Sequence, residues 1–368
     1  MQKESFRTEA QHMITAGEKI DGRAYREDLR QYTAEVLENY GLASQSAERE
    51  IIRLAECGNS VALKLYADMV FYGKLLRKDP FSTAFGLYLR SADLTIPEEG
   101  EWRIGDRSYP PALWALAYYL LDYRQASVLL HSDEIPCIEG MKREERLSHA
   151  LSLALSCIAD TPLAGAVNLV GRILKECAAE EQLFEILKPQ LKRQLAGREF
   201  SSFSFPSDSF EDRESCGAAA ERFFHAAVED GYVYACNNLA AREADEIVRL
   251  HETEADVTEH VKQYISALTM AADKYEPYAA NRLGLFYITG EIKSAGGKAV
   301  FREYVDFPRA KEYFKKACVC PDVHSAWAYY NLLKYFPKDY ERDIALMNEH
   351  MDEIRRLDPE VYGLAMEL

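Results

Sequence analysis

A three-residue pattern recurs six times along this chain and limits what it can fold into. Each copy opens with an alanine, places a large apolar residue four positions later, and follows that with a small residue. The copies are Ala62/Tyr66/Ala67, Ala112/Leu116/Ala117, Ala166/Val170/Gly171, Ala235/Leu239/Ala240, Ala279/Leu283/Gly284 and Ala328/Leu332/Leu333; the last lacks the small residue. Residues four apart share a face of an α-helix, so the alanine and the large residue form one stripe. The small residue adds an edge where a second helix can approach closely. Sustained period-2 alternation is absent, while Ala, Leu, Glu, Tyr and Arg stand at helical spacing. The chain therefore reads as all-α and built of repeats.

Each of these helices needs a partner, and the intervening segments supply one. Ala310/Tyr313/Phe314/Ala317 and Ala220/Phe223/Phe224/Ala227 place two aromatic residues three and four positions after an alanine, with alanine returning at seven. Tyr88, Leu89 and Ala92 repeat the spacing after Phe85, and Ala267, Leu268 and Ala271 do so more weakly after Tyr264. Asp306, and Asp79 before Pro80, read as helix N-caps. The combined pattern, fullest over 271–317 and also strong over 55–92 (Gly58, Ala62, Tyr66, Gly73, Asp79) and 220–246, resembles the Sel1-like repeat, a relative of the tetratricopeptide repeat. The resemblance covers most of 52–336, with copies more degenerate and longer than that family's usual unit. It implies antiparallel helix pairs stacked into a right-handed superhelix, a solenoid with a concave face that grips partners. It implies no catalysis.

Spacing then sets the expected organisation. Residues 1–50 read as N-terminal capping helices, 51–337 as the solenoid and 338–368 as a C-terminal capping helix, since a solenoid must cover its exposed ends. The longest interval between anchors holds an insertion, 176–215. Its first part, Glu181–Leu187, continues as helix, and Lys188-Pro189 marks a place for a kink or break. Its second part is Ser-rich yet carries Phe200, Phe203, Phe205 and Phe210, which reads first as an ordered loop pinned to the solenoid and second as a short segment awaiting a partner. Residues 199–215 are also a place for a hinge. Residues 291–305 are expected to form a long, mobile loop. Thr161-Pro162 reads as a helix start, with Thr161 or Asp160 as cap and Pro162 at the first helical position.

Charge and composition exclude several functions. The net charge of −16 opposes nucleic acid and anionic lipid. The basic sets at Lys142, Arg143 and Arg146, and at Lys188, Lys192, Arg193 and Arg198, have local acids and read as surface faces. The N-terminus lacks the apolar core of a signal peptide and no run is long enough to span a bilayer, so the expected location is the cytoplasm. Cys57, Cys137, Cys157, Cys177, Cys216, Cys236, Cys318 and Cys320 then read mostly as small buried hydrophobes; Cys318-Val319-Cys320 has the wrong spacing for a zinc pair.

Catalytic motifs fail on their own geometry. The segment from Gly290 to Lys298 lacks phosphate-loop spacing and the following Ser/Thr. His251-Glu252 is not followed by His at 255, and His260 lies off the same face. The carboxylates Glu243, Asp245, Glu246, Glu252, Glu254, Asp256 and Glu259 read as a solvated face. No Gly-x-Ser-x-Gly elbow exists. The expectation is a non-enzyme with no catalytic residues, cofactor or metal.

What remains is a binding surface. Three residues after the anchor alanine stand Asn238, Arg282 and Asn331 in the last three copies, against Leu65, Ala115 and Leu169 in the first three. In the tetratricopeptide relatives an Asn near this place often contacts a ligand backbone, because an amide both donates and accepts. The resemblance thus points to a polar groove lined by Asn238, Arg282 and Asn331, with Tyr278, Tyr329 and Tyr330 as rigid aromatic contacts. Equally open is that Asn238 and Asn331 bond between helices. Two functions stand: a scaffold or adaptor binding a protein or peptide, as in a bacterial-style signalling or envelope-associated complex, or a sensor whose superhelix shifts on binding a peptide or small ligand.

Overall fold

The computed structural model describes residues 44–71, 80–97, 102–121, 140–160, 163–200, 202–319, 323–341 and 343–368. Most of the expected N-terminal cap, along with Gly73, Asp79, Cys137, Thr161, Pro162 and Cys320, lies outside them. The chain divides into two compact units, Met1–Ala220 and Glu221–Leu368. Among the described residues the fold is all-α apart from two short hairpins, and no helix is long and apolar enough to cross a membrane.

In the first unit the helices are α1 (Ser44–Glu56), α2 (Ser60–Phe71), α3 (Pro80–Ser91), α4 (Pro110–Leu121), α5 (Arg143–Asp160), α6 (Ala164–Ala179) and α7 (Glu181–Leu195), and the division at Ala220 falls within α8 (Arg213–Glu229). A two-residue hairpin, β1 (Leu94–Thr95) with β2 (Arg103–Ile104), separates α3 from α4. Helix α2 packs against α3, α4 against α5, and α6 against α7. The anchor alanines explain this pairing, since Ala112 and Ala166 have no exposed surface and Ala62 almost none. Buried small residues let two helix backbones approach where larger side chains would hold them apart.

The insertion and the helix before it differ from expectation in three ways. Helix α6 ends where Glu180 turns extended, so Glu181 opens a separate helix and does not prolong the last one. Helix α7 then runs through Pro189 without a break. At the start of α6 the N-cap is Leu163, with no side-chain cap bond, and Asp160 is the last residue of α5. The Phe-rich loop is ordered as expected. Phe205 and Phe210 are buried with ring centres 5.1 Å apart, Glu199 and Ser204 form a β-bridge, and Lys188 Nζ donates to the Glu211 carbonyl at 2.6 Å.

The second unit holds α9 (Tyr234–His251), α10 (Thr258–Ala272), α11 (Pro277–Thr289), α12 (Phe307–Ala317), α13 (Val323–Tyr335), the single turn α14 (Pro337–Tyr340), α15 (Ile344–Leu357) and α16 (Pro359–Ala365). Three hairpins stack in order: α9/α10, α11/α12 and α13/α15, with α10 against α11, α12 against α13, and α11 against α13. The caps are written in the sequence. Asp306, Asp343 and Asp358 each accept a backbone N–H of the following turn, and Gly290 ends α11 in the left-handed region at φ 69°. The terminal segment is α15 and α16, closing a cluster in which Ile354, Val361 and Ala365 bury against Ala326 and Tyr329.

Residues 291–305 are not a loop. Strands β3 (Glu291–Ser294) and β4 (Gly297–Val300) form an antiparallel hairpin from Glu291↔Val300 to Ser294↔Gly297, and a 3-10 turn, Arg302–Tyr304, follows. Ile292 and Ala299 point into the unit and are buried, and the hairpin lies on α9. Apolar burial on one face pins what would otherwise be a marginal two-stranded ribbon. The acidic run also needs correcting, because Glu243 is buried: its carboxylate meets His260 Nδ1 at 2.7 Å and Arg242 Nη1 at 3.2 Å. Arg146, expected on the surface, is buried too, with Nη1 donating weakly to the Leu120 carbonyl at 3.5 Å.

Of the cysteines, Cys157, Cys177, Cys216 and Cys236 are buried, Cys318 is half-buried and Cys57 is exposed. Burial pushes the Cys177 and Cys216 thiols up to about 12, so they stay neutral and unreactive.

Candidate functional site

The first helices of the three hairpins in the second unit, α9, α11 and α13, carry the candidate residues. Their anchors Ala235, Ala279 and Ala328 have no exposed surface. With the anchors facing inward, register decides where every other position points, because each residue turns about 100° around the axis.

Arg282, three residues past its anchor, is half-buried at the edge of this row. Its Cζ lies 5.7 Å from the centre of the Tyr278 ring, one helical turn earlier. Nη2 donates to the Lys293 carbonyl at 3.3 Å and to Tyr264 Oη at 3.5 Å. The guanidinium is thus held by an aromatic face and neutral oxygens, and among the described residues no carboxylate pairs with it. Tyr278 in turn packs edge-on against His324 of α13, ring centres 5.1 Å apart.

The two asparagines behave differently from Arg282. Asn331 is 4% exposed, and its Nδ2 donates to Asn281 Oδ1 at 2.9 Å, tying α13 to α11. For Asn331 the interhelical bond is what the geometry contains. Asn238 is half-buried, with Nδ2 3.5 Å from the Tyr234 carbonyl of its own helix. A third amide, Asn237, donates to Glu276 Oε2 at 3.1 Å; Glu276 caps α11 by accepting from the Ala279 N–H at 2.7 Å.

The nominated tyrosines do not stand together. Tyr329, one residue past its anchor, is buried on the opposite side, its ring 4.7 Å from His350 of α15 and its hydroxyl donating to the Cys318 carbonyl at 3.4 Å. Tyr330 is half-buried and packs on Trp327 at 5.8 Å, with Lys334 Nζ 5.4 Å from its ring centre. Tyr278 shares a side with Arg282, Tyr329 faces away from it, and Tyr330 follows Trp327 by three residues on the same helix.

Sequence reasoning missed two residues that hold the same register position as Tyr278. The position just before each anchor is Tyr234, Tyr278 and Trp327, aromatic in all three copies, and Tyr234 and Trp327 are 53% and 40% exposed. In the first unit the same position holds Val61, Pro111 and Gly165. The signal was available, but only if Tyr and Trp were compared as one class. Four residues after these aromatics come Asn238, Arg282 and Asn331, so each aromatic sits one turn before a polar group on the same face.

Among the described residues no group of three or more His, Cys, Asp or Glu is placed to hold a metal ion. The face offers aromatic surface, amides and a cation, which suits recognition.

No family model and no curated protein matches this sequence. Among solved structures the chain is similar to a protective antigen present in uropathogenic Escherichia coli strains that displays an SLR fold, at 15% identity and a TM-score of 0.26; 84% of this chain is covered, and it spans 64% of that protein's length. It is also similar to a Sel1 repeat protein from Oxalobacter formigenes, at 16% identity and a TM-score of 0.29, covering 94% of this chain and 91% of the other.

Proposed function

We propose that the chain is a non-catalytic interaction scaffold that binds an extended protein segment along α9, α11 and α13. The observation that carries this reading is the row Tyr234, Tyr278 and Trp327, with Arg282 beside it. Aromatic side chains give large contact area at low entropic cost and are enriched where proteins meet. Helix α11 packs on α13, and helices packed side by side lie roughly 8–10 Å apart, about the span of three residues of extended chain. A partner with apolar side chains near every third position would meet one ring per helix. Arg282 selects for a carboxylate among them, and the protein's overall charge of −16 makes this cation a local exception.

The test uses the full chain with Tyr234→Ala, Tyr278→Ala and Trp327→Ala combined, compared with wild type by affinity capture from native lysate and mass spectrometry. These are exposed or half-exposed rings, so helicity by circular dichroism should hold. Proteins retained by the wild type should be lost by the variant. Identical captured sets from both, with helicity intact, would overturn the reading.

A further inference from the structure

A cavity of about 450 Å³ opens in the second unit between α12, α13, α14 and α15, away from the aromatic row. Its size falls within the range that small-molecule sites occupy, roughly 300–1,000 Å³. Leu332, Leu346 and the ring of Tyr329 supply the apolar part of the wall. Polar groups line it too, and most are already matched. Lys311 forms an ion pair with Asp339, and Tyr340 Oη shares a hydrogen bond of 2.9 Å with His350 Nδ1. Burial pushes the Tyr340 phenol up and His350 down, so both are neutral near pH 7.

Lys315 is the exception. It stands one turn after Lys311 on α12 and lines the same cavity, yet among the described residues it has no ion-pair partner. With Lys311 and Asp339 cancelling, the lining carries one net positive charge together with its apolar groups. We infer that this cavity binds a small organic monocarboxylate, its carboxylate paired with Lys315 Nζ and its apolar body against Leu332, Leu346 and Tyr329. A dianion would leave one charge unmatched next to Asp339, and a neutral apolar molecule would leave Lys315 as it is. None of Tyr234, Tyr278, Arg282 or Trp327 lines the cavity, so the inference stands or falls separately from the proposed partner face.

The test is calorimetric titration of the full chain with 3-phenylpropionate, with neutral 3-phenylpropan-1-ol as comparison. Wild type should bind the acid saturably and gain thermal stability, as ligand binding to the native state requires. The alcohol should bind about fivefold more weakly, and Lys315→Gln should weaken the acid about fivefold, the effect of one partly exposed ion pair. Leu346→Trp, which fills the cavity from a half-buried position, should abolish binding. The inference is overturned by no saturable binding up to about 10 mM, by equal affinity for acid and alcohol, by unchanged affinity in Lys315→Gln, or by unchanged affinity in Leu346→Trp.

Discussion

Gly284 of α11 lies directly beneath the ring of Phe314 of α12, so closely that a β-carbon at 284 would stand 2.5 Å from the ring atoms Cδ1 and Cε1. That contact is the physical content of the small third residue in the repeated pattern. The ring cannot retreat easily, because Phe314 has no exposed surface and packs edge-on against Phe336.

Gly284→Ala should therefore destabilise the protein even though alanine is the better helix former. Propensity favours alanine by about 1 kcal/mol, while overpacking a buried contact costs about 1–3 kcal/mol. The expected net loss is roughly 1 kcal/mol, read as a lower urea midpoint. Adding Phe314→Leu makes room for the methyl, so the double variant should lose less than the two single losses combined. Additive losses would show that the ring is not what excludes the methyl.

Asn331 and Asn281 offer a second test, one that separates structure from recognition. Asn331→Ala removes the bridge between α13 and α11 and strands a polar group, at a cost of about 1–2 kcal/mol. A double-mutant cycle with Asn281→Ala should show coupling, since the pair acts as one unit. Partner capture should survive in any Asn331→Ala sample that stays folded, whereas Arg282→Ala should reduce it with little change in midpoint. Capture lost equally in both variants would place Asn331 in the binding face after all.

How far the sequence can be read follows from these residues. The alanine anchors are legible because helix contact demands a small residue at a fixed period, and all six are buried. The Asp306 cap is legible for a similar reason, since capping is local chemistry. The binding row is half legible: Tyr278 and Arg282 are neighbours, but Tyr329 does not belong with them. One residue past an anchor lies about 200° around the helix from one residue before it, which turns Tyr329 toward His350 and away from Tyr278. The hairpin 291–300 is illegible because four-residue strands are too short to establish a period. Its Gly296-Gly297 pair also reads as readily as a loop, and the burial of Ile292 on α9 depends on partners far along the chain. Glu243 escapes a sequence reading for the same reason, since its partner His260 comes from another helix.

The hairpin itself predicts an exchange pattern. Backbone amides within β3 and β4 that bond across the ladder should exchange slowly, in step with α9, because buried Ile292 and Ala299 fasten the strands to the unit. Gly290 should be intolerant of substitution. It adopts φ 69°, and a β-carbon there would lie 2.6 Å from the Phe301 carbonyl oxygen. Gly290→Ala should cost about 1–3 kcal/mol and speed exchange across 291–300 first. Fast exchange of the hairpin in the wild type would return this segment to a loop.

His350 makes stability depend on pH in a stated direction. Burial lowers its affinity for a proton, Lys315 opposes protonation further, and the nearby Glu349 and Glu353 only partly offset this. Tyr340 holds Nδ1, and the Tyr329 ring covers one side. The unfolded imidazole titrates near the usual value of about 6.5, so below that pH the unfolded chain binds more protons than the native one. The contribution of His350 is thus fully present above about pH 6.5 and is lost as pH falls toward its lowered native value. His149, stacked on Trp102 at 4.0 Å and likewise pushed down by burial, adds a second loss of the same sign. His350→Gln keeps a hydrogen-bonding partner for Tyr340 but cannot titrate. Between pH 7.5 and 5 its urea midpoint should fall less than that of the wild type, the residual slope containing the His149 contribution. Parallel midpoint curves for the two proteins would mean that His350 takes up its proton in the folded state without penalty.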